Sequence, residues 1–77
     1  MPSLDQLVPG QVGRVEAVAG ADALVQRLME MGLFEGETVE FVAAAPLGDP
    51  IEVRLRDYRL SLRRSEAARI GVRLATP

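Results

Sequence analysis

The passage from Arg27 to Glu37, Arg-Leu-Met-Glu-Met-Gly-Leu-Phe-Glu-Gly-Glu, limits what this chain can become more than any other stretch. It reads as the last turn of a helix, a sharp stop, a turn and the start of a strand. Gly32 is the pivot: helices commonly close on a residue in the left-handed region, and glycine enters it without a Cβ clash. With Gly32 just past the helix, Leu33 follows it and Leu28 lies three residues inside the end. Those are the two positions whose apolar contact accompanies a Schellman stop. Gly36 marks a second turn before Thr38-Val39-Glu40-Phe41-Val42 begins to alternate. Leu28, Gly32, Leu33 and Gly36 are therefore expected to be structural.

A chain of 77 residues predicts one domain, spanning residues 1–77. So small a domain normally needs a staple, a metal, a partner or a very regular core. Cysteine and histidine are both absent, and all nine basic residues are arginine. Disulfides, thiolate sites, imidazole bases, Schiff-base lysines and the P-loop lysine are thereby excluded. The longest apolar run, Phe41 to Leu47, is far too short to span a membrane. The N-terminus lacks a basic n-region, so no secretory signal is expected and the cytoplasm is the expected location.

The chain reads as five short strands. Gln11 to Val18 is the first, with Val15 and Ala17 on one parity, Val12 and Val18 on the other, and Gly13 hinting at a bulge. Asp22 caps a helix from about Ala23 to Met31, with Leu24, Leu28 and Met31 on one stripe. Thr38 to Val42 is the second strand, followed by a proline-bracketed connection, Ala43 to Pro50. Ile51 to Arg56 and Arg59 to Arg63 form a hairpin turning at Asp57-Tyr58. Arg64 to Ala68 is one helical turn with Ser65 as a weak cap, and Ile70 to Leu74 is the last strand. This is a mainly β chain: a small, closed or nearly closed barrel with one inserted helix and a short helical turn before the last strand.

No motif carries catalytic chemistry, and the protein is expected not to be an enzyme. Ser61 and Ser65 have no histidine or lysine to activate them. Glu35, Glu37 and Glu40 cluster in sequence, but alternation sends Glu37 and Glu40 to opposite faces, and no metal ligand or cofactor is assigned. Residues 1–53 carry nine acids and two arginines, a balance of −7, and residues 54–77 a balance of +5. Cross-strand pairing of these charges is the simpler reading. A nucleic-acid-binding face of Arg54, Arg56, Arg59, Arg63 and Arg73 is the alternative, although the acidic total of −2 speaks against a nucleic-acid partner. Leu47 is either an exposed knob or folded over the barrel mouth. Met31 reads as core, while Met29 and Phe34 fit either core or contact surface.

Three pieces in order support a resemblance. They are Arg27-Leu28…Met31-Gly32-Leu33…Gly36, then Pro46-Leu47-Gly48-Asp49-Pro50-Ile51, then Leu62-Arg63…Glu66-Ala67…Ile70. From Leu4 to about Val72 the chain resembles the ferrous-iron transport protein A family, FeoA. Glu35 stands where that family often has proline, and Asp57 where it often has glycine. The resemblance implies an SH3-like barrel with a helix inserted after the first strand. It also implies a small cytoplasmic accessory protein, not membrane-spanning, working with a FeoB-type GTP-binding membrane transporter. A related fold closes iron-dependent repressors, so a stand-alone relative of that domain is a further alternative. Transition-metal binding is an expectation at the level of the family only; weak self-association is left open by the sequence. The expected contact surface joins the helix end (Arg27, Glu30, Met31, Phe34) to the proline-bracketed loop (Pro46, Leu47, Asp49), since loops on rigid scaffolds often carry binding.

Overall fold

The computed structural model describes residues 2–75. A 3-10 turn, Leu4–Gln6, leads into strand β1, Val12–Val18, and helix α1, Ala23–Glu30. Strands β2 (Thr38–Ala44), β3 (Ile51–Leu55) and β4 (Tyr58–Leu62) follow, then the short helix α2 (Arg64–Ala67) and β5 (Ile70–Leu74). The strands form one antiparallel sheet in the order β4-β3-β2-β1-β5. β4 and β5 are not paired, so the sheet curls without closing into a strict barrel. The 3-10 turn and α2 fill the gap, joined by the Arg64 guanidinium on the Asp5 carbonyl at 2.7 Å. The free edge of β5 is partly covered by residues 2 and 3: the Val72 N–H donates to the Pro2 carbonyl at 2.8 Å, and Ser3 bridges Gly71.

Two bulges curve the sheet. In β1 the register against β5 shifts between Val15 and Ala17. Val15 is buried before the shift and Val18 packs on the core after it, which is why these residues lie on opposite sequence parities. Gly13 is not the bulge; a Cβ there would lie 3.1 Å from the Val72 Cβ, so it permits close approach of β5. The second shift, between Phe41 and Ala43, carries β2 on to Ala44, two residues past the expected end.

The β3–β4 turn is Arg56-Asp57, one residue earlier than expected, because Tyr58 pairs with Leu55 as a strand residue. Arg56 takes the left-handed conformation, φ 53°, at the place where a two-residue hairpin favours glycine. The core lies between the curled sheet and α1, around Phe41, Leu28, Leu33, Ile51, Val53 and Ile70. Among the described residues no helix is long and apolar enough to cross a membrane.

Candidate partner-binding surface

The helix end is built as its sequence requires. The Asp22 carboxylate accepts from the Val25 N–H at 3.3 Å, and Leu28 is fully buried. Helix α1 ends at Glu30 with Met31 as its cap, and Gly32 follows at φ +103°. The Gly32 N–H donates to the Met29 carbonyl and the Leu33 N–H to the Leu28 carbonyl, each at 3.0 Å. This is the complete Schellman pattern, and Leu33 is buried against the same core as Leu28. The chain then turns through Gly36, whose N–H donates to the Val15 carbonyl at 2.8 Å. That bond and its reciprocal, Val15 N–H to the Glu37 carbonyl, tie the turn to β1.

Of the expected contact residues at this end, Arg27, Glu30 and Phe34 are exposed. Met31 is half-buried and packs on the core, so its side chain offers little free surface. Met29 resolves to surface, with 48% of its area accessible. Arg27 forms an ion pair with Glu66 of α2.

In the loop, Pro46 and Asp49 are exposed and Leu47 is 97% exposed, which settles the knob against the folded-over alternative. The knob stands on a fastened base. The Gly48 N–H donates to the Ala45 carbonyl at 2.7 Å and the Ala45 N–H to the Pro50 carbonyl at 2.9 Å. The Arg64 guanidinium donates to the Gly48 carbonyl, and the Asp49 carboxylate accepts from the Arg64 N–H at 3.0 Å.

Helix α2 thus touches both halves of the expected surface, through Glu66 on one side and Arg64 on the other. Arg64 did not stand out in the sequence, and Glu66 stood out only within the resemblance, with no contact role. The available signal was Glu66 at the third position of a short helix, where its carboxylate accepts from the Arg63 N–H at 2.8 Å. Arg63, not Ser65, is therefore the N-cap residue.

Charge is consumed largely within the fold. Four arginines of β3–β5 and the hairpin turn face glutamates of β1–β3 or the Gly36 turn: Arg54 with Glu40, Arg56 with Glu37, Arg59 with Glu52 and Arg73 with Glu16. Arg69 holds Asp22 with two hydrogen bonds, at 2.9 and 3.1 Å. These bonds, with that from the Val25 N–H, hold the Asp22 carboxyl below its usual value, and the Arg56 hydrogen bonds do the same for Glu37. A shallow groove lined by Glu37, Glu40, Arg54 and Arg56 has its charges already matched. Among the described residues no three Asp or Glu side chains gather as metal ligands would.

Residues 3–74 match the family model described as the FeoA domain. The chain is 41% identical over 71 residues to the Fe(2+) transport protein A/Fe(2+) transporter FeoB fusion protein of Porphyromonas gingivalis, covering 92% of this chain but only 8% of that much longer relative. Its fold matches the solution structure of a FeoA-like protein from Clostridium acetobutylicum with a TM-score of 0.92 and 33% identity, covering 99% of this chain and 88% of the other. It also matches the zinc complex of Stenotrophomonas maltophilia FeoA, a prokaryotic SH3 domain protein, with a TM-score of 0.83 and 36% identity over 95% of this chain and 91% of that one. An SH3-like sheet, the helix inserted after its first strand and the family match over nearly its whole length place this chain in the FeoA family.

Proposed function

We propose that this protein is an accessory component of ferrous-iron uptake that works in the cytoplasm, without catalysis of its own, by docking on the cytoplasmic part of a FeoB-type transporter. The observation that carries this reading is the relative in which an equivalent domain and a FeoB transporter share one polypeptide. Fusion replaces a bimolecular encounter by a high effective concentration, which is useful where two modules must meet. The docking surface is the one flanking α2, with Leu47 as the apolar anchor and Arg27, Glu30, Phe34, Pro46 and Asp49 around it. An exposed leucine on a fastened loop loses little conformational freedom on binding, which favours affinity.

The test is co-purification of the transporter with the wild-type protein, Leu47→Ala and Arg27→Ala. Both side chains are exposed, so the variants should fold normally. Loss of the transporter from the Leu47→Ala preparation is expected; full retention by both variants would remove this surface from the proposal. Binding of nucleic acid through Arg54, Arg56, Arg59, Arg63 and Arg73 draws no support, because four of the five already face carboxylates.

A further inference from the structure

Eleven carboxylates meet nine arginines in this chain, and six ion pairs form among the described residues. Of the carboxylates outside those pairs, Asp5 accepts from the Ser3 hydroxyl and Asp49 from the Arg64 N–H. Glu30, Glu35 and Asp57 form no ion pair and no side-chain hydrogen bond among the described residues, although the Asp57 charge acts on the neighbouring Arg56.

These three lie on two segments that meet at one corner of the fold. Glu30 is the last residue of α1, Glu35 lies in the turn just after it, and Asp57 lies in the β3–β4 turn. Two contacts pin that hairpin against the helix stop: the Tyr58 hydroxyl on the Met31 carbonyl, and Arg56 on Glu37 at 2.7 Å. The same corner carries Met29, Phe34 and Tyr58, which are 48%, 40% and 41% exposed. Its neighbouring cations, Arg27 and Arg56, are already engaged by Glu66 and Glu37. The helix stop and the hairpin pinned to it thus present three part-exposed apolar side chains and three carboxylates outside any ion pair.

We propose that this corner receives a basic segment of the transporter: a Lys/Arg-rich cytoplasmic stretch next to a membrane span, with one apolar side chain seated among Met29, Phe34 and Tyr58. The inference rests on the transporter-docking function proposed above and names the chemistry of the partner at the helix end. Cytoplasmic segments flanking membrane spans carry an excess of lysine and arginine, which complements the three carboxylates left outside ion pairs. A phosphate group or an anionic lipid surface would be repelled by them. Methionine adapts to differently shaped apolar partners, and a half-exposed aromatic offers area at small entropic cost.

The experiment titrates the full chain with synthetic peptides copied from the Lys/Arg-rich juxtamembrane segments of a FeoB-type transporter, at low and high salt. Wild-type protein should bind one of them, with affinity falling as salt is raised. The variant Glu30→Gln/Glu35→Gln/Asp57→Asn, which alters exposed side chains and keeps the fold, should bind it roughly tenfold more weakly. Equal affinity of variant and wild type, or no binding of any such peptide, overturns the inference. Co-purification of the intact transporter separates the two readings. Retention by the triple variant at wild-type level together with loss from Leu47→Ala overturns this inference and leaves the docking function standing. Failure of the wild-type protein to retain the transporter overturns both.

Discussion

The hydroxyl of Tyr58 donates its hydrogen bond to the carbonyl of Met31, so the first residue of β4 closes the end of a helix far back in the chain. The last carbonyls of a helix lack intrahelical donors, and this bond satisfies one of them. It also fills the space over Gly32, where a Cβ would stand 2.5 Å from the Tyr58 oxygen. Gly32→Ala should therefore suffer both a left-handed backbone and a clash, costing about 1–3 kcal/mol. Tyr58→Phe removes the clashing oxygen. Gly32→Ala should cost measurably less in that background, and a double-mutant cycle by denaturant unfolding reads the difference.

Leu28 and Leu47 should behave as opposites. Leu28→Ala leaves a cavity under α1 and should cost about 2–5 kcal/mol, a large share of the stability of so small a domain. Leu47→Ala should leave the unfolding midpoint within about 0.5 kcal/mol of wild type. Thermal and denaturant melts check both values.

Arg64 ties the loop, α2 and the 3-10 turn together through the Gly48 and Asp5 carbonyls. A hydrogen bond from a charged donor contributes about 1.5–3 kcal/mol, and Arg64→Ala should destabilise by an amount of that order. Amide exchange at Gly48 should accelerate more than exchange at Val53, which lies inside the sheet. Arg64→Lys should recover only part of the loss, since one ammonium cannot reproduce the forked geometry.

Acid should loosen the fold through Asp22 and Glu37. Each carboxyl is held below its ordinary value, 3.8 for Asp22 and 4.5 for Glu37, first by hydrogen bonds from Arg69 and Arg56 respectively. A carboxyl with a lowered folded-state pKa binds protons more weakly when folded than when unfolded. Its contribution is present above the unfolded value and is lost as pH falls through the folded one. Stability should be flat from about pH 7 to 5 and should decline below about 4. Asp22→Asn keeps a capping oxygen while abolishing the charge, and should flatten part of that decline. An unchanged slope in both Asp22→Asn and Glu37→Gln would contradict this assignment.

The elements with strong local chemistry were legible in the sequence. The helix stop at Gly32, the Asp22 cap and the alternation of Ile51, Val53 and Leu55 each follow from local rules and each is present. What escaped was set by distant residues. The Arg56-Asp57 turn follows from Tyr58 pairing with Leu55 while its hydroxyl reaches distant Met31, and no local preference announces a left-handed arginine. The bulge position in β1 depends on its register against β5, while Gly13 answers only to Val72. The role of α2 rests on Arg64 and Glu66, whose partners lie in Asp5, Gly48, Asp49 and Arg27. The exposure of Leu47 depends on how its loop is fastened, and neighbouring prolines alone fit a folded-over leucine equally well.

The most direct measurement is an NMR titration of the nitrogen-labelled protein with the purified cytoplasmic part of a FeoB-type transporter. Shifts should concentrate on Leu47 and Gly48 in the loop, Arg27 and Glu30 at the helix end, Phe34, and the α2 amides between them. An unperturbed spectrum at saturating partner, or shifts confined to the outer face of β1 and β5, would contradict docking through this surface.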